Sequence, residues 1–132
     1  MFKIRTKKVS KYKAKRVEVG GLSFASQLEA DLYAVLLVMK RTGEVSEIGC
    51  QPSVYLTDAR IRYVPDFYTF DVKMQASVWY EAKGYETDVW RIKRRLWKCY
   101  GPGPLVVVRR KGSGLLFEKP IIPKNDSVQE GG

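Results

Sequence analysis

The spacing of apolar positions predicts two helices. From Ser26 to about Arg41, apolar residues recur every three or four positions, which is typical of an amphipathic helix. Its apolar face comprises Leu28, Leu32, Val35, Leu36 and Met39. A second helix is predicted from Asp88 to Tyr100, with Thr87 or Asp88 as its N-cap. Its predicted apolar face comprises Val89, Ile92, Leu96 and Cys99.

Between the helices, runs rich in β-branched and aromatic residues predict three strands. They cover Ile48–Leu56, Ile61–Phe70 and Val78–Lys83, separated by turns at residues 57–60 and 74–77. Residues 61–83 are therefore predicted to form a β-hairpin. The apolar run Leu105–Val108 is expected to be a strand buried on both faces, and Leu115–Phe117 an edge strand. This order of elements predicts an α/β fold with a mixed central β-sheet flanked by helices.

The charge of the chain indicates a polyanionic partner. The 132 residues carry 24 Lys/Arg and 14 Asp/Glu, a net charge of +10, and nucleic acid is the first candidate for such a balance. Residues 1–16 hold eight Lys/Arg and no acid, including Lys7, Lys8, Lys11 and Lys13, and are predicted to form a flexible basic arm. The alternative is a solvated tail that only aids solubility. Residues 17–124 are predicted to be a single domain, and residues 125–132 a disordered tail.

The absence of histidine narrows the range of catalytic and metal-binding sites that the chain can form. Without it, Ser-His-Asp and Cys-His nucleophile systems and His-ligated zinc are excluded. Cys50 and Cys99 are too few for a zinc site or a disulfide framework, and we interpret them as free thiols in a reducing compartment. The N-terminus lacks the apolar run of a signal peptide, and no apolar stretch is long enough to cross a membrane. We therefore expect a soluble, cytoplasmic protein without a membrane partner.

Two carboxylates and a lysine are the candidate site. If residues 61–83 form a hairpin, Asp66 and Glu81 lie on neighbouring strands and can both bind a hard cation such as Mg²⁺. Lys83 lies on the same side of its strand as Glu81, while Ala82 points away but can offer its carbonyl oxygen. Pro65 within an apparent strand predicts an edge or a bulge. The alternative is a cross-strand salt bridge without catalytic function.

Glu29 and the basic residues of the second predicted helix can each be interpreted as structural or as functional. Glu29 follows Ser26 by three positions, as in a capping box, and the sequence alone favours that role over catalysis. Basic residues surround the second predicted helix, and Trp90 and Trp97 are interleaved with them. These basic residues are Arg91, Lys93, Arg94, Arg95 and Lys98. They are either solvated charge or phosphate contacts supplemented by stacking of the Trp rings.

The order of these motifs resembles the PD-(D/E)XK nuclease superfamily. Pro65-Asp66, then Glu81-Ala82-Lys83, after a helix carrying Glu29, is the layout of its site. The surrounding sequence over roughly residues 10–110, including the Gln51-Pro52 pair, is similar to the sequences of small phage-encoded endonucleases and Holliday-junction resolvases. The resemblance implies a restriction-endonuclease-like core, and it reverses the preference for Glu29 as a cap alone.

The resemblance also implies residue roles. Asp66 and Glu81 would ligate Mg²⁺ or Mn²⁺ with help from the Ala82 carbonyl, Glu29 would hold a second ion or orient water, and Lys83 would position the attacking water. The expected function is a metal-dependent endodeoxyribonuclease, homodimeric and selective for branched DNA such as four-way junctions, with no small-molecule substrate. The rivals are a nuclease for duplex or flap DNA and a non-catalytic basic protein that binds nucleic acid.

Overall fold

The structure, a computed structural model, describes residues 16–124, which form nine strands and two helices. The strands are β1 (Val17–Val19), β2 (Leu22–Phe24), β3 (Val45–Cys50), β4 (Val54–Leu56), β5 (Ile61–Tyr63), β6 (Phe67–Asp71), β7 (Ala76–Ala82), β8 (Leu105–Lys111) and β9 (Gly114–Phe117). The helices are α1 (Gln27–Arg41) and α2 (Asp88–Tyr100). Most of the predicted arm, with Lys7, Lys8, Lys11 and Lys13, and the predicted tail 125–132 lie outside the described residues. Neither described helix is long and apolar enough to cross a membrane.

Five strands form one mixed sheet in the order β3-β6-β7-β8-β9. Neighbouring strands are antiparallel except for β7 and β8, which are parallel and are connected through α2. A parallel pair needs a crossover of this kind because its strands start at the same end of the sheet. The predicted mixed α/β fold is thus confirmed at this level. Two short hairpins, β1-β2 and β4-β5, form separate two-stranded sheets.

The sheet has a core on each face. Alternate residues of β7 and β8 point to opposite sides, so Tyr80 and Val108 pack with α1 while Trp79 and Val107 pack with α2. In the core beneath α1, the helix contributes Leu32 and Leu36, as the spacing of its apolar residues predicted. Leu105, Val106, Val107 and Val108 are at most 8% exposed, which confirms a strand buried on both faces.

Two predicted strands are each broken in the structure. The predicted strand Ile48–Leu56 is divided into β3 and β4, and Ile61–Phe70 into β5 and β6. The breaks fall at Gln51-Pro52 and at Val64-Pro65-Asp66. Proline has no N–H for the ladder, and Gln51 has a positive φ of 51°, which a regular strand does not allow. Pro65 therefore marks the end of a strand rather than a bulge within one.

The hairpin prediction is right for part of its span. β6 and β7 pair antiparallel from Phe67 opposite Tyr80 to Asp71 opposite Ala76, so the turn is at residues 72–75 instead of 74–77. β1 and β2 were not predicted from the sequence because each is only three residues long, too short for a pattern of alternating residues. Leu115–Phe117 belongs to β9, an edge strand as predicted.

The buried face of α2 differs from the predicted one, of which only Leu96 packs against the core. Trp90 and Trp97 are 3% and 0% exposed and pack against the sheet, whereas Val89 and Ile92 are 63% and 54% exposed. Cys99 is also exposed. The two indole rings pack against Tyr63 and Trp79, and their burial against these aromatic partners decides the rotation of the helix. The predicted stacking of these Trp rings on nucleic acid is therefore wrong.

Candidate active site

Asp66 lies where the chain enters the central sheet. Continuing the β6-β7 register by two residues would place Pro65 opposite Ala82, but β6 begins only at Phe67. The Asp66 carboxylate Oδ2 accepts the Ala82 N–H at 2.7 Å, and the Asp66 carbonyl accepts the Gln51 N–H at 2.8 Å. The side chain thus replaces a ladder partner, which fixes the carboxyl beside the end of β7.

Glu81 is held on β7 with its carboxylate on the side of α2. It is 7% exposed, and its two oxygens have different partners. The Tyr63 hydroxyl donates to Oε1 at 2.9 Å, and the Lys83 Nζ lies 3.4 Å from Oε2. Glu81 and Lys83 therefore share a face of the strand, as their spacing predicted.

Lys83 extends from the end of β7 over α2. Its backbone N–H donates to the Val108 carbonyl at 2.9 Å, so β8 fixes the main chain. Its ammonium lies 4.7 Å from the centre of the Trp90 ring, within range of a cation–π contact. A buried ring and a carboxylate thus hold the ammonium in place while the side chain keeps 20% of its surface exposed.

Glu29 is both a capping residue and a neighbour of Asp66. Ser26 is the N-cap of α1, and its Oγ accepts the Glu29 N–H at 3.1 Å while its hydroxyl lies 3.3 Å from the Glu29 carboxylate. The serine half of the predicted capping box is therefore confirmed. The Glu29 carboxyl also lies near the Asp66 carboxyl, whose pKa it raises. A role in the cap does not remove Glu29 from the site.

The acidic groups perturb one another. Burial, the charge of Glu81 and a hydrogen bond with Glu29 raise the pKa of Asp66 to about 9, although the Ala82 N–H opposes this shift. Burial also raises the pKa of Glu81, against the opposing effects of Lys83 and Tyr63. The pKa of Tyr63 is raised by burial and by the Glu81 charge. Strongly perturbed carboxyls of this kind favour a functional site.

Two cavities open beside these groups. The larger, about 440 Å³, is lined by Glu81 and Lys83 together with Arg62, Tyr63, Trp90 and Lys93. The smaller, about 160 Å³, is lined by Glu29 and Asp66 together with Arg16, Ser23, Cys50 and Gln51. The predicted acids are thus divided between two openings, with Asp66 in electrostatic contact with both other carboxyls.

The carboxylates of Glu29, Asp66 and Glu81 are chemically suited to bind Mg²⁺, but in this structure they do not converge on one point. Carboxylate oxygens are the ligands that Mg²⁺ prefers. Within residues 16–124, however, no three His, Cys, Asp or Glu side chains lie close enough to hold a metal ion as they stand. Glu81 is directed at Tyr63 and Lys83, while Glu29 lies toward the other cavity. The carboxylates would have to move together for all three to ligate one ion.

The basic residues of α2 do not form a uniformly free surface. Glu86 pairs with Arg91 and Arg94, and it also contacts Arg109. Arg91 has Asp88 as a further partner at 3.0 Å. Of the remaining predicted DNA contacts, Lys93 donates to a backbone carbonyl, and Arg95 and Lys98 are exposed without an ion pair among the described residues.

Two residues of this site, Arg62 and Tyr63, were missed from the sequence. Tyr63 binds Glu81 directly, and Arg62 and Lys93 line the same cavity, although Lys93 was assigned only to a general basic surface. Their signal was present in the sequence, because Arg62 and Tyr63 lie on a predicted strand and are separated from the Pro65-Asp66 motif only by Val64. Trp90 is a fourth neighbour, and its buried Nε1–H has no partner among the described residues.

Comparison with known proteins identifies one family. A family model described as a protein of unknown function (DUF1064) matches residues 9–102, more than two thirds of the chain. No curated protein and no solved structure gives a significant match. The matched segment includes Glu29, Asp66, Glu81 and Lys83, so the whole candidate site lies inside it.

Proposed function

The chain belongs to the DUF1064 family, whose description names no activity, and we propose that it is a metal-dependent endodeoxyribonuclease of the PD-(D/E)XK type. The observation that carries this proposal is the cluster at the end of β7. There Asp66 accepts the Ala82 N–H, Glu81 and Lys83 form an ion pair on the same face of β7, and Glu29 of α1 lies near Asp66. The spacing of these residues matches the motif of that superfamily, and the sheet order is compatible with such a core.

Mg²⁺ is the proposed cofactor, with Mn²⁺ as a substitute. Asp66 and Glu81 would hold it, with the Ala82 carbonyl and Glu29 as further donors. The support is electrostatic: three carboxyls lie near one another and the pKa of Asp66 is raised, so a divalent cation would relieve their repulsion. When bound, the metal ion supplies Lewis-acid activation of water and neutralises charge on the phosphate.

The protein residues would supply orientation and proton control. The Lys83 ammonium, held by Glu81 and the Trp90 ring, is positioned to hydrogen-bond an attacking water and to offset the charge that develops on the phosphodiester. Glu29 is placed to hold a second water or ion beside Asp66. Tyr63 keeps the Glu81 carboxylate in its rotamer by donating to Oε1. Each role depends on a contact that a single substitution removes.

DNA, and branched DNA in particular, is the proposed substrate. The net charge of +10 supports a polyanion. A homodimer is proposed as well, because a four-way junction offers two strands for symmetric cutting. The exposed apolar stripe of α2, with Val89 and Ile92, supports an additional protein contact. The proposed location is the cytoplasm.

A cleavage assay on a panel of DNA shapes tests the proposal. The wild-type protein and its Asp66→Asn, Glu81→Gln and Lys83→Ala variants are incubated with a four-way junction, a flap and a linear duplex of related sequence. Mg²⁺, Ca²⁺ or chelator is added at one fixed salt concentration. We expect cleavage with Mg²⁺ and none with chelator, preferential nicking of the junction in pairs on opposing strands, and loss of cleavage in all three variants. Ca²⁺ should allow binding without turnover, since it takes more ligands with looser geometry.

The panel separates the rivals. Equal cleavage of junction and duplex would remove the resolvase assignment and retain the nuclease. Binding without cleavage under any metal would favour the non-catalytic protein, in which Lys83 and Glu81 form only a structural ion pair. Full cleavage in chelator, or wild-type rates for the Asp66→Asn variant, would show that the site is wrongly assigned.

A further inference from the structure

The β4-β5 hairpin is a ribbon with two different faces. Its strands pair so that Tyr55 lies opposite Arg62 and Val54 lies opposite Tyr63. Because side chains alternate along a strand, one face carries Tyr63 and Leu56 into the core beside α2, where they are 6% and 0% exposed. The other face carries Tyr55 and Arg62 into solvent. The face with Tyr63 and Leu56 thus anchors the ribbon in the core, and the face with Tyr55 and Arg62 is open to solvent.

The open face is basic. The Arg60 guanidinium stacks 4.4 Å from the centre of the Tyr55 ring, and the Arg62 Nε donates to the Ser53 Oγ at 3.0 Å. Within the described residues neither guanidinium is paired with a carboxylate. Asp58, in the turn, is the only acid between residues 51 and 65. The face therefore offers two cations on a flat surface with no compensating charge on the strands.

The ribbon is also joined to the candidate active site. Lys93 of α2 donates its ammonium to the Arg62 carbonyl at 2.8 Å. Arg62 and Lys93 line the same 440 Å³ cavity as Glu81 and Lys83. Tyr63, the next residue on β5, donates to Glu81. The position of the ribbon relative to the acids is therefore fixed by direct hydrogen bonds.

We propose that the open face of the β4-β5 ribbon, together with Lys93, binds the sugar-phosphate backbone of the DNA strand that enters the candidate active site. Arg62 and Lys93 would hold phosphates adjacent to the one at Glu81 and Lys83, and the Arg60-Tyr55 stack would continue the contact outward. Charge identifies the ligand, because the Arg60 and Arg62 guanidinium groups share the open face with the Tyr55 hydroxyl, and the Lys93 ammonium lies at the edge of the ribbon beside the Arg62 carbonyl. The inference rests on the proposed function for the choice of DNA, but binding does not require cleavage.

The test is DNA binding in chelator, where no metal-dependent cleavage occurs. Fluorescence anisotropy with a labelled linear duplex is measured over a range of salt for the wild type and for the Arg62→Ala and Lys93→Ala variants. Matched controls are Arg41→Ala, in the last turn of α1, and Lys73→Ala, in the β6-β7 turn. Both are exposed cations, Arg41 at the end of α1 that is opposite to Glu29 and Lys73 in the turn that follows the end of β6 opposite to Asp66. Arg62→Lys retains the charge and checks that the Ser53 contact is not the cause of any loss.

We expect the two ribbon variants each to bind about three- to tenfold more weakly and to lower the slope of log K against log salt by about one. The controls should change affinity by less than about twofold because the lengths of α1 and β6 separate their charges from Glu29 and Asp66 by more than a Debye length of about 10 Å. Arg62→Lys should retain most of the affinity. Circular dichroism confirms that each variant is folded.

The outcomes distinguish the proposed DNA-binding surface of the ribbon from the proposed nuclease activity. If the ribbon variants bind as the controls do, or the wild type does not bind duplex even at low salt, the proposed surface is wrong. Wild-type cleavage in Mg²⁺ together with unchanged binding of the ribbon variants would reject the surface and keep the nuclease. Weakened binding of the ribbon variants without any cleavage by the wild type would keep the surface and reject the nuclease.

Discussion

Replacing Asp66 with Asn should stabilise the metal-free protein, the reverse of the usual effect of altering a half-buried polar side chain. The folded-state pKa of Asp66 is raised from its ordinary 3.8 to about 9 by burial, by Glu81 and by the hydrogen bond with Glu29. The unfolded chain ionises freely above its ordinary pKa. Stability is therefore fully present below about pH 4 and is progressively lost as pH rises toward 9.

The size of this effect follows from the shift. Between pH 3.8 and pH 7, keeping this carboxyl protonated in the folded state costs up to about 4 kcal/mol of unfolding free energy, at about 1.4 kcal/mol per pH unit. Water at a half-buried group screens the repulsion, so we expect about 2 kcal/mol. The Asn side-chain oxygen can still accept the Ala82 N–H, so little is lost in exchange. For a domain of about 100 residues this corresponds to a rise of about 8 °C in melting temperature.

Thermal unfolding followed by circular dichroism measures this prediction. Wild type and Asp66→Asn are compared in chelator at pH 7 and near pH 4.5, with the exposed Asp58→Asn as the control that removes an acid elsewhere. The advantage of Asp66→Asn should shrink at the lower pH. Saturating Mg²⁺ should then stabilise the wild type by about 2.7 kcal/mol at a hundredfold excess over its Kd, but not the variant. A variant that melts below the wild type at pH 7 in chelator, or a difference independent of pH, would refute the electrostatic reasoning.

Three other predictions concern the roles of single elements. Lys83→Ala should lower the cleavage rate about a hundredfold or more, as loss of a charge-stabilising donor does, with an unchanged fold by circular dichroism; a wild-type rate would exclude a role in turnover. Glu29→Gln can still accept from the Ser26 hydroxyl, so its unfolding free energy should change by less than about 1 kcal/mol, and lost cleavage at an unchanged melting temperature would assign Glu29 to the site. Deleting residues 1–15 removes seven Lys/Arg and should reduce the salt slope of DNA binding, whereas an identical slope would show that the arm does not contact DNA.

The sequence predicted which segments form strands, but not where each strand ends or which strand it pairs with. Aromatic and β-branched runs identified Ile61–Phe70 correctly as extended chain, but the prediction treated Pro65 as a local irregularity. The structure shows that Pro52 and Pro65 fall at the two points where the chain leaves and re-enters the central sheet. A missing N–H at both points allows β4 and β5 to pair only with each other. Which strand pairs with which depends on contacts far apart in sequence, and a local pattern does not contain them.

The rotation of α2 was mispredicted for a different reason. Periodicity alone weighs Val89, Ile92 and Leu96 equally with Trp90 and Trp97, and two stripes of apolar residues share this helix. Burial of the two indole rings against Trp79 and Tyr63 decides between them. The Trp97 N–H also gains the Gly103 carbonyl at 2.8 Å. The helix sequence alone does not choose between the two stripes, because the choice depends on Tyr63 and Trp79, which belong to other elements.

The four acidic and basic side chains of the site arrive from parts of the chain that are fixed for independent reasons. Glu29 is placed by the N-cap of α1, Asp66 by the strand break after Pro65, and Glu81 and Lys83 by the buried strand β7. None of these elements needs the charge of its functional side chain in order to fold. Glu81 has Lys83 and Tyr63 to compensate its carboxylate, whereas no ion pair reaches Asp66 within residues 16–124. Asp66 is therefore the group that gains most from a bound cation, and a metal titration followed through this carboxyl should respond before any change at Glu81.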